Sequence, residues 1–138
     1  MELKGKRVLI TGASGFVGRH LCSRLIKQGS HVRALIRNLS KASFIADNVE
    51  VVQGDVKDAM SLKVALRGCQ VVFHLASVLA HENKPLSEFY NVNVKGTRII
   101  ADEALNASVD RFIYMSTSWV YGYGCNRQYK RKFASSSQ

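Results

Sequence analysis

Acidic residues, cysteine, proline and long apolar runs are all scarce in this sequence, and each scarcity excludes a class of protein. The 138 residues include one proline and three cysteines, Cys22, Cys69 and Cys125, which are odd in number and far apart. This spacing fits neither a disulfide framework nor a zinc knuckle, so we expect reduced thiols and no metal site. The apolar runs are too short to cross a bilayer, and the amino terminus lacks the apolar core of a secretory signal. We therefore expect a cytoplasmic protein.

Basic residues outnumber acidic ones, with 20 Lys and Arg against 10 Asp and Glu, which gives a formal net charge of +10. The basic residues are spread along the chain, with one dense cluster at residues 127–132. A polyanionic cofactor accounts for this charge without a further partner, so we expect neither nucleic-acid binding nor a membrane partner. The alternative is salt-sensitive binding of RNA or DNA by the basic cluster.

The central feature is the stretch of residues 8–18, in which an apolar strand runs into a glycine-rich turn and then a helix. Residues 8–11 have the profile of a strand buried on both faces. Gly12 allows a tight turn, Gly15 lets backbone amides approach a pyrophosphate, and Gly18 lets the helix pack closely against the sheet. The helix predicted over residues 16–28 would then present N–H groups to phosphate. The pattern predicts a dinucleotide-phosphate site.

Strands and helices alternate along the rest of the chain. Further strands are predicted at residues 32–36, 49–52, 71–75 and 111–115, with a helix after Asp58 and a long helix at residues 86–106. This order predicts an α/β fold, a Rossmann-like doubly wound parallel sheet with strand order 3-2-1-4-5. The ends of strands one, four and five then converge, so Gly12, Ala76 and Thr117 would face one ligand.

The exit of the second strand bears on the choice between NAD and NADP. An acidic residue at this point commonly holds the ribose hydroxyls of NAD, but Arg37 follows the strand here and Lys41 comes four residues later. A guanidinium at this place favours the 2′-phosphate of NADP through charge-assisted hydrogen bonds. NADP is the predicted cofactor and NAD the alternative. The competing interpretation of Arg37 is an exposed loop cation.

Several other polar residues admit a structural as well as a functional interpretation. Asp55 is placed to accept a hydrogen bond from an adenine amino group, whereas Asp58 fits the N-cap of the following helix better. His74, at the end of strand four, is expected to be a packed or hydrogen-bonded core residue rather than a catalytic base. Ser87 is a candidate cap for the long helix, and Asn93 inside that helix is expected to have a hydrogen-bonding duty.

These residues fall into five motifs that occur in order, at residues 11–18, 54–56, 74–76, 93–97 and 116–122. In them the sequence resembles the extended short-chain dehydrogenase/reductase family, which includes NAD(P)-dependent epimerases, dehydratases and reductases. The resemblance implies hydride transfer at a carbonyl or alcohol carbon, with Thr117 at the catalytic Ser/Thr position and Asn93 in a supporting role. It also implies a cofactor site made of Gly12, Ser14, Gly15, Phe16, Val17, Gly18, Arg37, Lys41, Asp55, Val56, Leu75, Ala76 and Ser77.

One departure from the family concerns its proton-transferring tyrosine, which a lysine four residues on makes more acidic. None of the five tyrosines in this sequence is followed by lysine at that spacing. The last family motif ends at residue 122, and residues 124–138 match no family motif and turn basic and then serine-rich. We therefore expect residues 1–123 to form an NAD(P)-binding Rossmann domain and residues 124–138 to form a disordered tail.

The resulting hypothesis is a shortened oxidoreductase or epimerase, with the carboxyl-terminal part of the fold missing and little activity alone. The alternative is a dinucleotide-binding sensor or partner-binding isoform without catalysis. A missing strand would leave a sheet edge that an oligomer or another partner covers.

Overall fold

A computed structural model describes residues 2–44, 48–79 and 82–117 of the chain. The elements before the fourth strand are β1 (Arg7–Thr11), α1 (Phe16–Lys27), β2 (His31–Ile36), a 3₁₀ helix (Leu39–Phe44), β3 (Glu50–Gln53) and α2 (Ala59–Leu66). Those that follow are β4 (Val71–His74), α3 (Leu86–Phe89), a π-helical segment (Tyr90–Gly96), α4 (Thr97–Asn106) and β5 (Arg111–Tyr114). All five predicted strands are present, with ends within about two residues of the expected positions.

The five strands form one parallel sheet in the order β3-β2-β1-β4-β5, which confirms the predicted topology. In the register, Thr11 at the end of β1 lies opposite Leu35 of β2 and His74 of β4. The chain therefore moves outwards from β1 to one edge and then crosses back to build the other half. The place where the direction reverses lies between the carboxyl ends of β1 and β4, where open α/β sheets bind ligands.

Apolar side chains alternate between the two faces of the sheet and form a separate core on each. On one face Leu9 and Val72 pack with Leu62 of α2 and Ile100 of α4. On the other, the strand residues pack against α1, and this cluster contains Val8, Ile10, Val32, Ala34, Val71, Cys22 and Leu25. Strands covered on both faces explain the continuous apolar runs in the sequence.

Two of the three cysteines lie in these cores. Burial raises the pKa of the Cys22 thiol to about 11, and it also raises the pKa of the Cys69 thiol. Both are free thiols. Thiols with raised pKa values remain protonated and unreactive near neutral pH.

The long helix predicted at residues 86–106 is a continuous helical path, but it changes type in the middle. Residues Tyr90–Gly96 are π-helical, with α-helical turns before and after them. Pro85, rather than the predicted Ser87, occupies the N-cap position, and Ser87 lies inside the first turn. Proline is well suited to a helix start because its φ is already close to the helical value.

Arg33 is a buried charge that the sequence pattern of β2 does not reveal. Its Nη1 donates to the carbonyl oxygens of Ala65 at 2.7 Å and Arg67 at 2.9 Å, at the carboxyl end of α2. Its Nη2 pairs with Glu50 Oε1 at 2.9 Å. The guanidinium thus satisfies carbonyl groups that the end of a helix leaves without partners.

Candidate functional site

The carboxyl ends of the central strands and the amino terminus of α1 line one cleft of about 900 Å³. The cleft brings together all of the residues predicted for the cofactor, which are Gly12, Ser14, Gly15, Phe16, Val17, Gly18, Arg37, Lys41, Asp55, Val56, Leu75, Ala76 and Ser77. Asn93 and Thr117, predicted for the catalytic region, line it as well. Residues up to 106 positions apart in the sequence (Thr11 and Thr117) therefore share one surface.

The turn after β1 requires glycine for two reasons. Gly12 has a φ of 68°, in the left-handed region that side chains with a Cβ rarely adopt. A Cβ there would also lie 2.7 Å from the Ala76 nitrogen and 2.9 Å from the Leu75 oxygen. The predicted tight turn is present, and it is in direct contact with the chain leaving β4.

The lack of a side chain at Gly18 permits a close contact, but with a different partner from the predicted one, which was the sheet. A Cβ at this position would overlap the carbonyl oxygen of Gly12 and lie 2.6 Å from the Cα of Ala13. The first turn of α1 thus packs against the Gly12–Ala13 turn itself rather than against the face of the sheet. The close approach still depends on the missing side chain.

The amino terminus of α1 opens into the cleft. Gly15 is its N-cap, and among the described residues no side chain caps it. The first helical bond runs from the Arg19 N–H to the Gly15 carbonyl oxygen at 3.1 Å. Among the described atoms, only the Gly12 carbonyl oxygen, at 3.2 Å, lies within 4 Å of the place where a Gly15 Cβ would be. The first turn therefore offers N–H donors and a positive dipole end to an anion.

Arg37 and Lys41 lie exposed at the end of the cleft formed by the exit of β2. Asp55 lies in the same cleft, and its Oδ1 accepts the Lys57 N–H at 3.0 Å. The neighbouring Asp58 caps α2, as predicted, by accepting the N–H groups of Met60 at 3.0 Å and Ser61 at 3.3 Å. The two carboxylates thus have separate positions, one in the cleft and one at a helix start.

The Lys57 ammonium joins the Asp55 loop to the start of α3. Its Nζ lies 4.0 Å from Asp55 Oδ2 and 3.2 Å from Glu88 Oε1. All three side chains are partly exposed, so these ion pairs contribute little to stability.

His74 is the hydrogen-bonded core histidine that the sequence predicts. It is fully buried, with Nδ1 2.6 Å from Thr11 Oγ1 and Nε2 3.0 Å from Thr97 Oγ1. Burial lowers the pKa of its imidazole to about 4, because a charged ring would lose its hydration there. A neutral ring with both nitrogens engaged is not available as a general base.

Asn93 performs the hydrogen-bonding duty expected of it. Its Oδ1 accepts the Val78 N–H at 2.8 Å, and its Nδ2 donates to the Val78 carbonyl oxygen at 2.9 Å. This pair of bonds holds the segment that leaves β4 and lines the cleft. Asn93 lies in the π-helical segment, and π turns are frequent at functional sites.

Thr117 is exposed in the cleft just beyond β5, and several neighbours there were not predicted as site residues. Tyr114 lines the cleft and stacks on His74, with ring centroids 5.8 Å apart. Met115, Val78, Leu79 and Glu82 line it too. The rule that ligands lie at the carboxyl ends of parallel strands points to Tyr114 and Met115, because β5 ends at Tyr114. Residues 118–122 of the last motif and the predicted tail lie outside the described residues.

None of the described helices is long and apolar enough to span a membrane. Within the described ranges, no three His, Cys, Asp or Glu side chains come together as a metal site would require.

Comparison with known proteins gives a consistent family match. The model of the "NAD dependent epimerase/dehydratase family" matches residues 8–137. A ketoreductase of Stigmatella aurantiaca, named for 4-hydroxy-2-methyl-3-oxo-4-farnesyl-3,4-dihydroquinoline-1-oxide, is 34% identical over 86% of this chain and 35% of its own length. The dTDP-D-glucose 4,6-dehydratase of Homo sapiens is 32% identical over 90% of this chain and 39% of its own length.

A solved structure supports the same match. The short-chain dehydrogenase/reductase superfamily protein from Agrobacterium tumefaciens, crystallised with bound NAD, has a TM-score of 0.74 and 33% sequence identity. The match covers 84% of this chain and 34% of that one. The chain thus spans about a third of the length of the proteins it matches.

Proposed function

Because the chain belongs to the NAD dependent epimerase/dehydratase family, we propose that residues 1–123 are the NAD(P)-binding domain of an extended short-chain oxidoreductase or epimerase. The observation that carries this proposal is the cleft in which the uncapped start of α1 faces the exits of β1, β4 and β5. The chemistry proposed for the whole enzyme is hydride transfer at a carbonyl or alcohol carbon.

The residues on the floor of the cleft fit a dinucleotide. The Gly12 turn brings α1 close to β4, and the space above Gly15 gives a pyrophosphate access to the first N–H groups of α1. Asp55 would accept a hydrogen bond from the adenine amino group, while Val56 and Leu75 supply apolar walls. Ala76 and Ser77 are small enough for a flat ring to lie against the backbone.

A bound nicotinamide ring would supply or accept the hydride. Thr117 would donate a hydrogen bond to the reacting oxygen of the substrate, from its position beyond β5. Asn93 would support the reacting region through its two hydrogen bonds to the Val78 backbone. The positions of both residues in the cleft support these roles.

The preference for NADP rests on charge at the exit of β2. Arg37 and Lys41 line the cleft there, and the sequence has no Asp or Glu between residues 31 and 46. A 2′-phosphate would pair with the Arg37 guanidinium, whereas the ribose hydroxyls of NAD would lack a carboxylate partner.

Titration of the purified chain with NADPH and NADH, followed by nicotinamide fluorescence, tests both points. We expect saturable binding, and we expect Arg37→Ala to weaken NADPH binding about tenfold because a charge-assisted hydrogen bond is lost. NADH binding should change little. Arg24→Ala is the matched control, since Arg24 is exposed in the last turn of α1 and is not part of the cleft lining. Absence of saturable binding of either dinucleotide contradicts the function, and equal loss for both contradicts the NADP preference.

A second candidate function is dinucleotide binding without turnover, as a sensor or partner-binding form. Within these 138 residues no tyrosine is followed by lysine at the fourth position, so this stretch by itself supplies no Tyr-x-x-x-Lys pair. Assays of this chain with NADPH and a panel of carbonyl and nucleotide-sugar substrates separate the two, because turnover above background excludes the second candidate. Deleting residues 124–138, proposed as a basic tail, should leave dinucleotide affinity unchanged.

A further inference from the structure

His74 joins three elements that meet beneath the cleft. Its ring lies between the Thr11 hydroxyl at the end of β1 and the Thr97 hydroxyl at the start of α4, at 2.6 Å and 3.0 Å. The Thr11 oxygen is also 3.2 Å from the N–H groups of Leu75 and Ala76. Each group in this chain of contacts has a limited number of hydrogens and lone pairs, so the direction of every bond can be worked out.

The contacts of the Thr97 hydroxyl determine that a hydrogen is bound to Nε2 of His74. Thr97 Oγ1 lies 2.8 Å from the carbonyl oxygen of Asn93, which can only accept, so the hydroxyl hydrogen points to Asn93. The same oxygen lies 3.0 Å from His74 Nε2 and has no second hydrogen to donate. Nε2 must therefore carry the hydrogen and donate it to Thr97.

The contacts of the Thr11 hydroxyl independently indicate the same tautomer of His74. Thr11 Oγ1 accepts the Ala76 N–H, and it shares the Leu75 N–H with the backbone oxygen of Thr11, which is also 3.2 Å away. These donors occupy the lone pairs of the oxygen, so its own hydrogen is left for the 2.6 Å contact with Nδ1. Nδ1 is then an acceptor and carries no hydrogen.

We infer that His74 is a positioning residue, held as the Nε2–H tautomer, which aims the Thr11 hydroxyl so that its oxygen binds the Ala76 amide and locks the exit of β4 to the glycine turn. Its value for ligand binding rests on the function proposed above. The locked segment and the turn are in van der Waals contact, since Gly12 has no room for a Cβ beside Leu75 and Ala76.

The hydrogen bond between the Ala76 N–H and Thr11 Oγ1 joins the two halves of the cleft. The turn at Gly12 leads to the phosphate-facing start of α1, and Ala76 leads into the segment proposed to lie under the nicotinamide. If the Thr11 oxygen released the Ala76 amide, the two halves of the cleft could shift relative to each other. The lowered pKa of His74 agrees with a ring that stays neutral and keeps Nδ1 as an acceptor.

The first test is spectroscopic and needs no ligand. The full chain is labelled with ¹⁵N-histidine, and the His74 signals are assigned by their loss in His74→Asn. We expect a hydrogen bound to Nε2 and none bound to Nδ1 at neutral pH. A hydrogen on Nδ1 would overturn the inference, because Thr11 would then accept from the ring and could not be aimed by it.

The second test follows the Ala76 amide by hydrogen exchange. In His74→Leu the Thr11 hydroxyl loses its acceptor, and we expect exchange at Ala76 to accelerate about tenfold. In His74→Asn the amide oxygen takes the place of Nδ1, and we expect most of the protection to return. Val71→Ala is the matched control, because it removes buried volume from the same strand without touching the network. Equal acceleration in His74→Leu and Val71→Ala would refute positioning and leave only a packing role.

Dinucleotide titration of the same variants completes the test. We expect His74→Leu to weaken binding about tenfold and His74→Asn to bind nearly as the unaltered chain does. If the unaltered chain binds no dinucleotide, the proposed function fails, while the tautomer and the Ala76 exchange still decide the role of His74. If His74→Leu does not fold, the tautomer and the protection of Ala76 in His74→Asn decide it.

Discussion

The helices α1 and α2 each follow a parallel strand and a short connection, but the first N–H groups of the two helices have different surroundings. At α2, Asp58 accepts the N–H groups of Met60 and Ser61, so the helix supplies its own negative charge. At α1, Gly15 is the N-cap, and no described side chain accepts from the first turn. The residues of that turn are Phe16, Val17, Gly18 and Arg19, none of them acidic.

The difference separates a helix start whose N–H groups bond to a side chain of the same chain from one whose N–H groups are left without a described side-chain acceptor. A cap carboxylate satisfies the first N–H groups and lowers the free energy of the folded state. The start of α1 lacks this stabilisation but keeps its donors for an anion in the cleft. It is held in place instead by a tight backbone contact with the Gly12–Ala13 turn.

The largest expected effect comes from breaking that backbone contact with Gly18→Ala. Alanine is normally favoured over glycine inside a helix by about 1 kcal/mol. Here its Cβ would overlap the Gly12 carbonyl oxygen, so we expect the free energy of unfolding to fall by about 3 kcal/mol or more. Chemical denaturation of the variant and of the unaltered chain measures this decrease in the free energy of unfolding. Gly5→Ala is the control, since Gly5 has φ 73° and no described atom lies within 4 Å of the place where its Cβ would be. It should cost only about 1 kcal/mol. Similar losses for both variants would contradict the packing argument.

Lowering the pH should reduce the free energy of unfolding through His74, the buried histidine that contacts the end of β1 beneath the glycine turn. The pKa of His74 is about 4 in the folded protein, against 6.5 for an ordinary histidine. Between these values the unfolded chain binds the proton and the folded chain does not, so stability falls as the pH is lowered from about 6.5 to about 4. The neutral, buried His74 should therefore contribute about 3 kcal/mol to the free energy of unfolding. This contribution is fully present above about pH 6.5 and is lost as the pH falls to about 4.

Unfolding of the unaltered chain and of His74→Asn at a series of pH values isolates this contribution, because the carboxylates titrate in both proteins. We expect the stability difference between the two to narrow as the pH falls. A difference that does not depend on pH would show that His74 titrates normally in the folded state.

Removing the α2 cap should have a smaller effect and spare the ligand site. Asp58→Ala deprives the Met60 and Ser61 N–H groups of their acceptor, and we expect a loss of about 1 kcal/mol in the free energy of unfolding. Asp58→Asn should retain most of the stability, because asparagine is an equally good cap. Dinucleotide affinity should be unchanged in both, and a loss of affinity would mean that the two helix starts are coupled.

The smallest change in stability is expected when a carboxylate is placed at the second position of each helix. Val17 and Met60 occupy equivalent positions in α1 and α2, and both are exposed. Val17→Glu and Met60→Glu should each stabilise the chain by about 0.5 kcal/mol through the helix dipole. Only Val17→Glu should weaken dinucleotide binding, since its carboxylate would compete with phosphate. Equal affinity in the two variants would contradict anion binding at α1.

The features that the sequence predicts correctly are those with a local signature. The Gly12 turn, the strand order and the Asp58 cap each depend on residues a few positions apart, or on the rules for connecting parallel strands. The cleft follows from the strand order, which is why Arg37, Asp55 and Thr117 were brought together with Gly12 as expected.

The features that it does not predict depend on distant partners. Arg33 is buried because the carbonyl groups of α2, more than 30 residues away, accept its hydrogens. The π-helical segment places Asn93 against the Val78 backbone, a contact across 15 residues that helical periodicity does not reveal. His74 is recognisable as a core residue, but Thr11 lies 63 residues before it and Thr97 23 residues after it, so its partners need the folded chain.

The central position of β1 also determines when the cleft can exist during folding. β1 pairs with β2 on one side and β4 on the other, so this one strand is the template for both halves of the five-stranded sheet. A chain in which β4 has not yet docked contains the whole glycine turn but has no opposite wall for it. A ligand of this cleft would therefore stabilise only molecules in which β4 has joined β1, and its presence would draw partly assembled chains towards that state.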